Sequence, residues 1–251
     1  MQNCHVLIIG SGGSGIRAAI EAVKYGSVII ISKTITGNSG CTVMAEGGYN
    51  AVLKDPDSIR VHFEDTLKGG AYLNDKKLVE TLVSEAPNRI RELLSWGAVF
   101  DLDETDQISQ RPFGGQRHPR TCYAGDHTGH EIVMTLLEKL RGSGVKIEDE
   151  LTAVDLLKTD GGISGAVTVD CNGVFDVITA DAVVLATGGA GQLYSITTNS
   201  TASTGDGYAL GFRAGARLID MEMVQFHPTG AVYPANSRGH LITEAVRGEG
   251  G

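Results

Sequence analysis

Residues 5–16 read His5-Val6-Leu7-Ile8-Ile9-Gly10-Ser11-Gly12-Gly13-Ser14-Gly15-Ile16, and the stretch runs on through Ala19, Ile20 and Val23 to Val28-Ile29-Ile30-Ile31. An apolar run breaks into glycines, a helical face with Ile16, Ala19, Ile20 and Val23 follows, and a second apolar run closes the stretch. Parallel strands need a crossover between them, so strand, turn, helix and strand within about 30 residues predict a parallel doubly wound sheet. The expected fold class is therefore α/β and Rossmann-like. In Gly10-x-Gly12-x-x-Gly15 the first glycine permits a tight turn, the second lets backbone approach a pyrophosphate, and the third lets helix pack on strand. Gly13 and Ser14 complete the turn, and phosphates are expected on the helix N-terminus, where free N–H groups and the dipole favour negative charge.

Where an acidic ribose ligand usually ends the second strand, this chain has Ser32-Lys33, which weakens an NAD reading. Lys33 either faces a phosphate or is an ordinary solvated lysine. Residues 36–48 are small and glycine-rich, suited to a loop that wraps a ligand. Residues 78–96 have helical periodicity, and Pro87 within them either starts a second helix or kinks the first. Ile132, Val133, Leu136, Leu137 and Leu140 mark another amphipathic helix that ends at Gly142. Between Val145 and Ala180, turn signals at Asp160-Gly161-Gly162 and Asn172-Gly173 predict a small antiparallel meander. Ala182 to Ala186 reads as one more buried strand, running into a second glycine turn at Thr187-Gly188-Gly189.

The 251 residues, 41% of them hydrophobic, suffice for one sizeable core, and the 34 glycines follow no strict repeat. A formal charge of −9 argues against a general grip on nucleic acid or on an anionic membrane. Cys4, Cys41, Cys122 and Cys171 lack any spacing expected of zinc or an iron–sulfur cluster, so no metal site is expected and the compartment reads as reducing, hence cytoplasmic. No apolar run approaches the roughly 20 residues that span a bilayer. The sequence stops in mid-motif at Arg247-Gly248-Glu249-Gly250-Gly251 and reads as the first part of a longer chain.

With Gly40-Cys41-Thr42-Val43-Met44-Ala45-Glu46-Gly47-Gly48 after the first turn, the chain resembles the flavoprotein subunit of succinate dehydrogenase and fumarate reductase, a family that includes L-aspartate oxidase. Arg111-Pro112-Phe113-Gly114-Gly115-Gln116, Asp126-His127-Thr128-Gly129-His130, Thr204-Gly205-Asp206-Gly207, His227-Pro228-Thr229-Gly230 and Thr243-Glu244-x-x-Arg247-Gly248-Glu249 are similar to the family's blocks, in the family's order. The resemblance implies FAD, with Gly10 to Gly15 at its pyrophosphate and Ser39, Gly40, Cys41, Thr42, Ala45, Gly47 and Gly48 along the flavin. Ser32, Lys33, Thr187, Gly188, Gly189 and Asp206 complete the implied cofactor site; Asp206 is either an FAD contact or a helix N-cap. Residues 1–222 would form the FAD-binding domain and 223–251 the opening of a capping domain.

Many membrane-bound relatives carry a flavin-linked histidine at the position of Cys41, so its absence implies noncovalent FAD, with Cys41 a small buried side chain. Aspartate oxidases carry a glutamate where this chain has Phe113, so the resemblance implies a plain dicarboxylate, succinate or fumarate; Phe113 is otherwise a core aromatic. His227 and Thr229 would bind one carboxylate and Thr243 and Glu244 would lie across the site, while Glu244 and Arg247 would relay a proton to a catalytic arginine that lies past Gly251. The plainer readings are a structural His227 and a surface Glu244–Arg247 ion pair. The 251 residues alone would then have little turnover. Electrons would leave through an iron–sulfur subunit, with any membrane association indirect and at the cytoplasmic face. The rival functions are L-aspartate oxidase and a noncatalytic flavin-binding or redox-sensing module.

Overall fold

A computed structural model of the chain describes residues 1–243 and Val246. In chain order the elements are β1 (Gln2–Ile9), α1 (Gly13–Ala22), β2 (Val28–Ile31), β3 (Tyr49–Asn50), α2 (Ile59–Gly69), α3 (Lys76–Ser95), β4 (Gln110–Arg111), β5 (Thr121–Cys122), α4 (Thr128–Leu140), β6 (Lys146–Glu148), β7 (Leu151–Thr159), β8 (Gly162–Asp170), β9 (Phe175–Leu185) and α5 (Asp206–Ala214). They form two compact units: Met1–Met44 with Leu136–Leu241, and Ala45–Thr135 with the described residues after Leu241.

The first unit is built on one six-stranded sheet in the order β6-β2-β1-β9-β8-β7. Strands β6, β2, β1 and β9 run parallel, with Val6 opposite Val28 and Ile9 opposite both Ile31 and Leu185. Its core is apolar from both ends of the sequence: Leu7, Ile9, Ile29 and Ile31 pack with Leu156, Ala166, Ile178 and Leu210. All four residues of β2 are buried, as expected of a central parallel strand.

The expected meander and the last strand are one feature. The chain crosses β7, β8 and β9 in antiparallel hairpins, but β9 continues without a break to Leu185 and pairs in parallel with β1. The strand nearest Val145, β6, lies outside the hairpins, parallel to β2. Ala182 and Leu185 are exposed, so β9 is not buried on both faces there; an apolar run marks a strand without saying which faces are covered.

In the second unit α2 and α3 pack through Phe63, Leu67, Val79 and Val83. Both helices begin with a side-chain cap: Ser58 Oγ accepts from Val61 N at 3.2 Å, and Asp75 Oδ1 from Lys77 N at 2.8 Å. α3 runs from Lys76 to Ser95 with Pro87 buried inside it, so no second helix starts there. Arg120 is fully buried; it donates to both oxygens of Asp57 at 2.7 and 2.8 Å and pairs with Asp65 at 2.9 Å. Asp65 also receives Arg117, which staples the segment before β5 to α2. Burial pushes the Asp65 carboxyl up, but the hydrogen bonds from Arg117 and Arg120 outweigh it and hold the group below the usual carboxylate range.

Candidate FAD and substrate sites

At the C-terminal end of β1 the chain turns sharply. Gly10 N donates to Ile31 O at 2.9 Å and Ala186 N to Ile9 O at 2.8 Å, so β1 is flanked by β2, reached through α1, and by β9, reached much later. A crevice opens where the connections diverge in this way, the usual place for a nucleotide. A Cβ on Gly10 would lie 2.2 Å from Ala186 O, and one on Gly15 1.9 Å from Gly10 O. The outer glycines are thus demanded by the fold itself. Gly12, by contrast, lines the open crevice and caps α1 without a side chain, and no acidic residue stands in the first turn. That leaves the positive end of α1 available to a phosphate. Gly13 N donates to Thr42 Oγ1 at 3.2 Å, which fastens the following loop across the helix start.

Ser14, Ser32, Lys33, Ser39, Gly40, Cys41 and Thr42 line the same crevice, with Thr187, Gly188 and Asp206 on the β9 side. Ser32 is buried and accepts from Ser11 Oγ at 2.8 Å. Lys33 reaches across to Thr204 and Asp206. Asp206 also accepts from Thr204 Oγ1 at 2.8 Å. Burial pushes the Asp206 carboxyl up, but the bonds from Lys33 and Thr204 and the Lys33 charge outweigh it, so it stays ionised below its usual range. The N-cap of α5 is Gly205, and Asp206 makes no side-chain cap bond. The acidic group missing beside Ser32 therefore arrives from 173 residues away.

Cys41 is not buried as expected. It is exposed, with Sγ 2.9 Å from Asn199 Oδ1 and 3.2 Å from Ser203 Oγ. A small side chain in a glycine-rich loop over a crevice has no core to enter. A Cβ on Gly189 would have open space, with no atom within 4 Å.

Ala45, Gly47 and Gly48 belong to the second unit. Ala45 O accepts from Gly129 N at 2.8 Å, and a Cβ on Gly48 would strike Cys122 O at 2.6 Å. Phe113 is half-buried in that unit, and a Cβ on Gly47 would touch its ring at 3.5 Å. The cavity beside them is also lined by His62, Asp65 and Arg120. Burial and then the Arg120 charge push the His62 imidazole down, favouring its neutral form. His227 and Thr229, in the first unit, are joined by a 2.8 Å contact between Nε2 and Oγ1. Thr243, in the second unit, is half-buried and its carbonyl accepts from Val246 N at 3.4 Å. Glu244 and Arg247 lie outside the described residues.

Residues 5–251 match the family model described as FAD binding domain. The chain belongs to that FAD-binding family. Among its relatives, the fumarate reductase (CoM/CoB) subunit of Methanothermobacter marburgensis is 52% identical over 256 residues, covering 100% of this chain and 47% of the relative. The L-aspartate oxidase 2-b of Nicotiana tabacum is 40% identical, covering 97% of this chain and 40% of its own. The solved E. coli quinol fumarate reductase superposes with a TM-score of 0.94 at 38% identity, over 100% of this chain and 43% of that one. The chain thus spans about half the length of the curated relatives it matches.

The cofactor of this FAD-binding chain is FAD, and the crevice fits it. The uncapped start of α1 suits a pyrophosphate, and Ser11, Ser32, Lys33 and Thr204 are polar groups gathered nearby. Sequence reasoning assigned no role to Ser11, Asn199, Ser203 or Thr204. Ser11 sits inside the first glycine turn and Ser203 and Thr204 just before Asp206, whereas nothing local marks Asn199. Among the described residues no helix is long and apolar enough to cross a membrane, and no cluster of metal-ligating side chains occurs.

Proposed function

We propose that the complete protein is an FAD-dependent oxidoreductase that interconverts succinate and fumarate. FAD, when bound, supplies the two-electron chemistry. The chain's own residues hold the dicarboxylate and handle a proton: His227 and Thr229 bind one carboxylate, Thr243 and Glu244 the other side, and Glu244 with Arg247 conducts the proton toward an arginine past Gly251. The observation that carries the choice of substrate is Phe113, an apolar ring packed over Gly47 where an amino-substituted substrate would need a counter-charge. L-aspartate oxidase is the second reading, favoured by the 40% identical tobacco enzyme.

Residues 1–222 act in this reading as the FAD-binding domain and 223–251 as the opening of a capping domain. FAD is held noncovalently, since Cys41 takes the histidine's place. Electrons pass to an iron–sulfur partner subunit, the site is cytoplasmic, and membrane contact is made only through partners. Three measurements test the scheme on the complete protein. Succinate is expected to reduce the flavin and aspartate not to; the reverse would establish the oxidase. Fumarate reduction is assayed with CoM and CoB as well as with a dye, given the name of the Methanothermobacter relative. Acid precipitation is expected to leave the yellow colour in the supernatant; a yellow pellet would overturn noncovalent binding. The 251 residues alone are expected to show no dye-coupled succinate oxidation.

A further inference from the structure

Phe113 is held from two directions by groups to which the reaction assigns no part. On one side is Arg111, whose side chain is only 10% exposed. Its Nη2 donates to Gly47 O at 2.8 Å and to Gly125 O at 3.3 Å, and its guanidinium carbon lies 5.4 Å from the Phe113 ring centroid and 4.2 Å from that of Tyr123. The nearest carboxylate, Asp126, is 3.9 Å away and largely exposed. Among the described residues the Arg111 Nε has no hydrogen-bond partner, so this buried cation is held through one arm of its planar fork, by two carbonyls, and by two aromatic rings. On the other side, Gln116 closes the turn. Its Oε1 accepts from Phe113 N at 3.3 Å, its own N donates to Phe113 O at 3.3 Å, and its Nε2 donates to Asn50 Oδ1 at 2.9 Å and Thr121 Oγ1 at 3.1 Å.

We propose that Arg111 and Gln116 are positioning residues that fix the Phe113 ring over Gly47 and thereby set the site's affinity and selectivity for an unsubstituted dicarboxylate. This rests on the reading of Phe113 as substrate-facing. Arg111 contributes in a second way, because a cation beside the ring repels a substrate ammonium and attracts a carboxylate. Lysine at that position keeps the charge but cannot bond two carbonyls and reach both rings with a planar fork.

The test uses the complete, FAD-loaded protein carrying Arg111→Lys, Gln116→Leu or Gln116→Glu. The flavin absorbance change on adding fumarate gives Kd, and succinate turnover gives KM and kcat separately. Arg111→Lys and Gln116→Leu are each expected to raise Kd and KM about tenfold while kcat stays within about twofold, and the succinate-over-aspartate preference falls with them. Gln116→Glu keeps the acceptor for Phe113 N but loses the amide donors to Asn50 and Thr121 and adds a negative charge, so it is expected to hold Phe113 better than Gln116→Leu while the succinate-over-aspartate preference still falls. Variants that melt earlier or load less FAD, yet keep the unsubstituted KM in their loaded fraction, would overturn the proposal. Should the unmodified complete protein show no flavin response to succinate or fumarate, the proposed function fails, and crystal structures then decide the clamp. Phe113 displaced from Gly47 in Gln116→Leu supports it; Phe113 unmoved overturns it.

Discussion

Two glycine turns meet at the crevice of the first unit, one after β1 and one after β9, and they use glycine for different reasons. After β1, Gly10 and Gly15 are pressed against the fold's own backbone, at 2.2 and 1.9 Å from carbonyl oxygens were a Cβ present. After β9, Gly188 and Gly189 have nothing within 4 Å of a Cβ. The first turn is a joint of the protein; the second leaves backbone bare, as a surface for a ligand must. The same division runs inside the first turn, where the nearest atom to a Cβ on Gly12 is Thr42 Oγ1, at an ordinary 3.6 Å.

The comparison breaks most easily at Gly15. Gly15→Ala is expected to destabilise the chain by about 3 kcal/mol or more, since α1 must be forced off β1, and to abolish FAD retention with it. A urea midpoint close to that of the unsubstituted chain would refute the joint. Gly12→Ala sharpens the contrast. Its stability is expected to change by less than about 0.5 kcal/mol while FAD affinity, followed by flavin fluorescence quenching, falls at least about tenfold, because the added methyl stands where backbone meets pyrophosphate. Unchanged affinity would move the phosphate away from α1.

The smallest effect is expected at the Lys33–Asp206 pair, whose side chains are 27% and 39% exposed. The Asp206 pKa is lowered in the fold, so its contribution is present above the unfolded value near 3.8 and is lost as pH falls through the folded value. Asp206→Asn should therefore cost only about 0.5 kcal/mol at pH 7, and the two chains should converge in stability below pH 3.8. A gap that widens in acid would reverse the assignment.

The strand–turn–helix–strand unit was legible because it is local: apolar runs and glycine spacing within residues 5–31 determine β1, α1 and β2. The two-sided role of β9 was not, since whether Phe175–Leu185 is one strand or two depends on partners in β8 and β1. Distance hid the site residues too. Lys33 looked like a choice between phosphate and water until Asp206 and Thr204 were brought to it. Arg111 and Gln116 stood in plain view beside Phe113, yet nothing in their spacing told that one would lie on aromatic rings and the other would fold back on the turn. Cys41 was misjudged for the opposite reason, as residue type was weighed and its loop setting was not.

The pairing of β1 with β9 also bears on how the chain is made. Asn3 meets Thr179, a separation of 176 residues, and the crevice needs Ala186 to close against Ile9. At a synthesis rate of about 5–20 residues per second, the β1 edge waits on the order of ten seconds or more for its neighbour. Until then Val6 to Ile9, an apolar and mostly β-branched strand edge, is open to pairing with other chains. The strand that opens the fold is thus among the first made, yet one of its edges is completed only when Phe175–Leu185 has been synthesised.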